Sequence, residues 1–148
     1  MKILYSVQAT GNGHISRASE ILPLLQKYGE VDILLSGNNA NLPVQLPVKY
    51  RSKGLSLFYQ SGGGLNYFKM LKQLNPFRIW ADIKNLPVES YDLIINDFDF
   101  ITAMACKLKG KFSVQFGHQA SFNYEETLRP QSKSMIGEWV LRNFATAN

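Results

Sequence analysis

The sequence predicts an α/β fold in which helices cover a mostly parallel sheet. Short apolar segments typical of buried strands alternate with segments of helical periodicity, and this alternation indicates βαβ units. The chain has 148 residues, of which 45% are apolar, which is enough for the core of one domain. We therefore expect one Rossmann-like domain, a three-layer sandwich, over residues 1–148.

The N-terminal elements are a strand, a helix and a second strand. Apolar runs at residues 2–7 and 31–35 predict the two strands. Between them apolar residues repeat at helical spacing, and Ser16 is the expected N-cap of this helix. Because proline lacks a backbone donor, Pro23 should kink or split the helix, and Gly29 should end it.

The later elements continue the alternation. Short strands are predicted at residues 48–51 and 55–59, followed by helices at 65–74 and 77–86. Toward the C-terminus we expect a strand, a helix, a strand and a last helix at residues 93–96, 100–108, 112–116 and 136–144. Cys106 falls in the apolar helix among these and is expected in the core.

Composition limits the class of protein. The chain has no apolar run of about 18 residues and opens directly into a strand, so we expect neither a transmembrane helix nor a signal peptide. One cysteine is compatible with a reducing cytoplasm. A net charge of +5 favours anionic partners without choosing among them, and an ordinary basic surface explains it equally well.

A glycine-rich loop follows the first strand, at residues 8–14. Gly11 and Gly13 are expected to allow positive φ angles and close approach of a ligand, whose anionic group the loop amides and helix start would hold. The loop that begins at Ser36, after the second strand, lacks the carboxylate of a dinucleotide site, and the chain has no P-loop. A tight turn between strand and helix is the alternative.

Both histidines lie just past predicted strands. His14 ends the first loop, and His118 follows the strand predicted at residues 112–116. Ligands of open α/β sheets bind at the carboxyl ends of strands. A neutral imidazole there can accept a proton from a hydroxyl or donate to a phosphate oxygen. The alternative for His14 is a capping or packing role.

Two carboxylates follow the strand predicted at residues 93–96. Asp97 or Asp99 can orient a hydroxyl or tune a neighbouring histidine. One of them could instead cap the next helix, and Asp99 is the better candidate for that. No histidine or cysteine pair has metal-ligand spacing, so no metal site is expected.

Residues 67–72 and 77–80 contain aromatic and basic side chains close together. Such a surface could lie at a membrane interface or hold a lipid-linked molecule. We favour an amphipathic helix pair with its aromatic side chains in the core and its cations in solvent.

The order of these motifs resembles a family. Residues 1–5 and 10–18, then residues 91–98 and 118–122, are similar to the N-terminal half of GT-B glycosyltransferases, in the bacterial, family 28-like group that forms lipid II. The resemblance covers nearly the whole chain. It departs at Gly117, where a serine is expected in close relatives.

The resemblance implies an acceptor-side domain, one half of a GT-B fold, whose partner domain binds a nucleotide-sugar donor. The sugar would pass to a hydroxyl acceptor, a lipid-linked molecule being one option, with inversion and without a metal or other cofactor. His14, Asp97 and His118 are then the candidates for catalysis. The expected substrate or phosphate contacts are Thr10, Gly11, Asn12, Gly13 and Gln119.

The resemblance also fixes what we expect of the isolated chain. Residues 1–148 alone should be inactive, because the donor-binding domain is absent from them. We expect a cytoplasmic protein, with attachment to the inner face of the membrane as a further option, and no nucleic-acid partner. The main alternative is a stand-alone module that binds a phosphorylated ligand or an anionic surface, and half of an NAD-dependent oxidoreductase is disfavoured.

Overall fold

Five parallel strands form a sheet in the part of the chain that the structure describes. The computed structural model describes residues 1–37, 46–54 and 75–117. The strands in this part are β1 (Lys2–Gln8), β2 (Glu30–Ser36), β3 (Val48–Ser52), β4 (Leu93–Asp97) and β5 (Val114–Gln115). Their order across the sheet is β3-β2-β1-β4-β5, and every neighbouring pair is parallel.

Helices cover both faces of this sheet. They are α1 (Asn12–Leu25), α2 (Pro76–Asn85) and α3 (Phe100–Lys109), and a 3-10 helix, Val88–Ser90, precedes β4. Alternate residues of β1 point to opposite faces, so Tyr5 packs with α1 and Leu4 packs with α2 and α3. The chain is therefore an α/β, Rossmann-like three-layer sandwich, as the sequence predicts.

The strand order reverses between β1 and β4. The chain proceeds outward from β1 to β2 and β3, then crosses back to place β4 on the other side of β1. The carboxyl ends of β1 and β4 are in register, with Val7 opposite Asp97. Loops that leave such a pair of strands diverge and open a crevice, the usual ligand site of this architecture.

Helix α1 differs from its prediction at both ends. It begins at Asn12 with Gly11 as N-cap, rather than at Ser16, so the glycine-rich loop itself enters the helix. Pro23 does not split the helix, which is one of the two outcomes expected there, since α1 runs through Pro23 to Leu25. Pro23 lies in the last turn, where the lost backbone hydrogen bond interrupts nothing further along.

Gly29 has a different purpose from the one predicted. The helix ends before it, and the backbone N–H of Gln26 donates to Leu22. At Gly29 a Cβ atom would lie 1.9 Å from the Met1 carbonyl oxygen. The glycine therefore allows the chain to pass the N-terminus closely as it enters β2.

The other described strands and α-helices match their predictions within two residues, except that β5 is limited to Val114–Gln115. The 3-10 helix Val88–Ser90 was not predicted. Cys106 is fully buried, as predicted. The aromatic side chains of α2 were placed wrongly, because Phe77 is 88% exposed and Trp80 is 55% exposed. Helix α2 contacts the core mainly through Ile83.

Several predictions concern residues outside the described part of the chain. They are the strand at residues 55–59, the helices at 65–74 and 136–144, and the aromatic and basic residues at 67–72. Among the helices that are described, none has the length and apolar character needed to cross a membrane.

Candidate functional site

His14 and Asp97 meet in the crevice between β1 and β4. His14 lies in the first turn of α1, and Asp97 is the last residue of β4. The imidazole Nδ1 is 2.8 Å from the carboxylate Oδ1. The sequence predicted both residues as candidates, and the fold brings them into direct contact across 83 positions of sequence.

Asp97 is fully buried and surrounded by donors. Oδ1 receives His14 and the Arg17 Nη2 group, while Oδ2 accepts from Arg17 Nε at 3.1 Å. The Tyr5 hydroxyl is 3.5 Å from Oδ2, a long contact. Burial, and then the charge of Asp97, raise the pKa of Tyr5, so this phenol remains a donor. The two carboxylate oxygens thus face four donor groups, which fills their hydrogen-bonding capacity.

This arrangement determines the form of His14 that fits the site. A carboxylate bound by a guanidinium is an acceptor only, so we assign the imidazole proton to Nδ1, which donates to Asp97. The electron pair of the neutral ring is then at Nε2, on the side of the ring away from Asp97. The side chain of His14 is 15% exposed, so the ring is held by the protein and still reaches solvent.

The turn after β4 supports the imidazole from one side. The ring of Phe98 is nearly parallel to that of His14, with centroids 6.1 Å apart and 6° between planes. Phe98 has a φ of 59°, which is unusual for a residue with a side chain. The side chain of Asn96 accepts from the Asp99 backbone N–H and donates to the Asp99 carbonyl, and these bonds hold the turn.

The start of α1 faces open space. Gly11 caps the helix without a side-chain hydrogen bond, and the first turn has no acidic residue. A Cβ atom at Gly11 or Gly13 would meet nothing within 4 Å. The expectation of positive φ there is wrong, since among the described glycines only Gly37, Gly54 and Gly110 have it. The backbone N–H groups at this helix start are placed to receive an anion.

Of the remaining candidates near this loop, Thr10 is half-buried and Asn12 is exposed at the first position of α1. His118 and Gln119 lie outside the described residues.

Asp99 has the capping role that the sequence offered as its alternative. Its carboxylate accepts from the backbone N–H groups of Ile101 and Thr102 at the start of α3. The residue is fully buried, and burial raises its pKa despite these bonds. Asp99 therefore stabilises the scaffold behind Asp97 and does not face the crevice chemistry.

Arg17 is the site residue that the sequence reasoning missed. It follows His14 by three positions in α1, a spacing that places two side chains on the same face of a helix. Its Nη2 atom is 3.0 Å from His14 Nδ1, and its guanidinium carbon is 5.4 Å from the centre of the Phe116 ring. The signal was available, since the only cation one turn from the candidate base is Arg17.

A metal-ligand cluster and a cavity are the other features that could bind a ligand. Within residues 1–37, 46–54 and 75–117, no three histidine, cysteine, aspartate or glutamate side chains are grouped to hold a metal ion. A cavity of about 240 Å³ lies on the α2 and α3 side of the sheet, and neither His14 nor Asp97 lines it. The residues that line it include Lys49, Arg51, Ser52, Asp82 and Asn85.

Comparison with known proteins adds no family to this description. Neither the protein-family models nor the curated proteins contain a match to this sequence.

Proposed function

We propose that this chain is the acceptor-side domain of a GT-B glycosyltransferase that moves a sugar from a nucleotide-sugar to a hydroxyl group. The observation that carries the proposal is the pairing of His14 with buried Asp97 at the point where the strand order reverses. A histidine oriented by a buried carboxylate is the arrangement that activates hydroxyl nucleophiles in enzymes.

The chemical step follows from this geometry. The acceptor hydroxyl attacks the anomeric carbon of the donor sugar while Nε2 of His14 takes the hydroxyl proton. A new carbon–oxygen bond forms, and the bond from the sugar to the diphosphate breaks with its electrons leaving on phosphate oxygen. A single displacement of this kind inverts the anomeric configuration. Asp97 stabilises the imidazolium that forms.

In the proposal, the start of α1, where Gly11 provides no side-chain cap, binds the anionic part of the substrate. The helix start has no side-chain cap and no acidic residue in its first turn, so its positive end favours a phosphate group beside His14. In the proposal, the main donor site belongs to a second domain that faces this crevice. Residues 1–148 alone would then bind acceptor without transferring sugar.

The direct test uses the full natural protein that contains this chain. It is incubated with a panel of nucleotide-sugars and hydroxyl acceptors, lipid-linked acceptors included, and release of nucleoside diphosphate is measured. The proposal expects acceptor-dependent release that the exposed-residue variant Glu20→Gln retains and the variant His14→Gln loses. Release that survives His14→Gln would contradict the assigned base.

The second candidate is a binding module without catalysis, and the open, uncapped start of α1 favours it. It predicts that residues 1–148 bind inorganic pyrophosphate or a nucleoside diphosphate through α1, and that no variant of Asp97 changes a reaction rate. Titration of the chain with pyrophosphate, together with the transfer assay above, separates the two functions.

A further inference from the structure

We infer that Arg17 is the positioning residue of the His14–Asp97 pair: it compensates the buried carboxylate, so that His14 remains a neutral imidazole with its proton on Nδ1. The inference deepens the proposed function, on which its catalytic meaning rests. Its structural part concerns this chain alone and is tested without any sugar transfer.

The negative charge of Asp97 is compensated by Arg17. Asp97 is fully buried, and a buried carboxylate requires a compensating cation. Among the described residues, two groups that can carry a positive charge reach it, Arg17 and His14. Arg17 is always protonated, so the charge of Asp97 is already balanced without a proton on His14 Nε2.

Arg17 also fixes the orientation of the Asp97 carboxylate. Arg17 approaches both carboxylate oxygens, with Nε 3.1 Å from Oδ2 and Nη2 on Oδ1. A two-point contact of this kind fixes the plane of the carboxylate as well as its position. Oδ1 is thereby held where it accepts from His14 Nδ1 at 2.8 Å.

Arg17 also has an aromatic neighbour. The guanidinium lies over the ring of Phe116, the residue just after β5, with its central carbon 5.4 Å from the ring centre. The backbone N–H of Phe116 donates to Asn96, which ties this ring to the end of β4. Arg17 therefore contacts the last residue of β4 and the residue that follows β5.

Arg17 disfavours the doubly protonated, positively charged form of His14. In the neutral ring, the N–H at Nδ1 and the Arg17 Nη2 group, 3.0 Å apart, are both donors and share Asp97 Oδ1 as their acceptor. A protonated His14 would add a full second positive charge at this contact, around a single anion. The other described groups at the pair are the Tyr5 hydroxyl, whose pKa is raised, and the Phe98 ring, and neither adds negative charge. Without Arg17, His14 would be the one group in the described part of the chain that could compensate Asp97 by taking up a proton. A protonated imidazole cannot act as a base, so Arg17 would determine whether the base exists.

The test is nitrogen NMR of the chain with ¹⁵N-labelled histidine at pH 7.5. The chain has two histidines, and the signals of His14 are those that the variant His14→Gln lacks. The inference expects one protonated nitrogen, Nδ1, and one unprotonated nitrogen, Nε2, in the wild-type chain. A wild-type His14 that is doubly protonated, or protonated at Nε2 alone, overturns it.

Three variants complete the test. Arg17→Gln should convert His14 to the doubly protonated form, and Arg17→Lys should retain the neutral form. The double variant Arg17→Gln with Asp97→Asn should return His14 to the neutral form, because no buried charge then needs compensation. An Arg17→Gln chain whose His14 signals match those of the wild type contradicts the inference.

The double variant also covers the case in which Arg17→Gln does not fold. If Arg17→Gln alone fails to fold, the inference requires that the double variant folds, since the uncompensated charge has been removed. Failure of the double variant to fold as well would show a packing role for Arg17 and overturn the inference. In the full natural protein, Arg17→Gln should lower kcat about tenfold or more with little change in KM, and Arg17→Lys should recover part of that loss.

Discussion

His14 Nδ1 and Asp97 Oδ1 lie 2.8 Å apart at the junction of β1 and β4, although 83 positions separate them along the chain. The contact exists because the parallel register places the end of β4 beside the end of β1, where α1 begins. The buried carboxylate at the end of β4 thereby orients the partly exposed imidazole in the first turn of α1. The candidate chemistry of this chain depends on that one contact.

The glycines allow a paired test of the description. Gly29→Ala should destabilise the chain strongly, because the new methyl group would lie 1.9 Å from the Met1 carbonyl oxygen. Gly13→Ala should retain or increase stability, by up to about 1 kcal/mol, since its methyl group would enter open space on a helix. Urea unfolding of the two variants measures the difference.

The variant Gly13→Ala also tests ligand binding. Its methyl group would occupy the space beside the uncapped start of α1, so Gly13→Ala should weaken binding of pyrophosphate while leaving the fold intact. Unaltered pyrophosphate affinity in a chain that binds this ligand would show that the open space is not part of the site.

The cap of α3 is tested at Asp99. Asp99→Ala should lose about 1 kcal/mol of unfolding free energy, because the first N–H groups of α3 lose their acceptor. Asp99→Asn keeps an acceptor and should remain within about 0.5 kcal/mol of the wild type at pH 7. Equal losses in the two variants would contradict the capping role.

The same residue predicts a pH dependence. Burial raises the pKa of Asp99 in the folded chain, so the unfolded chain gives up this proton more readily. As pH rises from the ordinary carboxyl pKa, about 3.9, through the raised one, Asp99 therefore reduces stability. The stability of Asp99→Asn relative to the wild type should accordingly improve between acid and neutral pH. A relative stability that does not change with pH would contradict the raised pKa.

Asp32 should show the opposite dependence. Burial alone would raise the pKa of its carboxyl, but the bonds from Lys49 Nζ at 2.6 Å and the Tyr91 hydroxyl at 2.7 Å outweigh burial and lower it. Its stabilising contribution is therefore present above the ordinary carboxyl pKa and is lost as pH falls through the lowered value. Asp32→Asn should unfold at lower urea concentration than the wild type at pH 7, and the difference should vanish in acid.

Exposed Glu20 provides the control for this pH dependence. Glu20→Gln removes one carboxylate from the surface of α1 and should follow the wild type over the whole pH range. A loss at pH 7 as large as that of Asp32→Asn would mean that net charge, rather than the Asp32 contacts, controls stability.

Much of the fold could be predicted because it depends on local pattern. The apolar runs of β1, β2 and β4 and the alternation of strand and helix are visible in the sequence. The start of α1 was misplaced because Gly11 caps it through backbone geometry without a side chain that marks the position. The exposure of Phe77 and Trp80 could not be predicted, since it depends on which face of α2 the sheet covers.

The site was only partly predictable for a similar reason. Residue type and position at strand ends identified His14 and Asp97, but their contact depends on the order of strands across the sheet. Arg17 looked like an ordinary helix cation until Asp97 was placed beside it. The left-handed turn at Phe98 was not predicted, although Asn96 and Asp99, whose hydrogen bonds hold it, are residue types common in turns.

The measurement that tests the central claim most directly is the rate of sugar transfer by the full natural protein carrying Asp97→Asn. This change keeps the size of the side chain and removes the charge that orients and stabilises His14. We expect kcat to fall about 10²- to 10⁴-fold, as for loss of general-base catalysis, while Glu20→Gln stays at the wild-type rate. A wild-type rate in a folded Asp97→Asn protein would contradict the account.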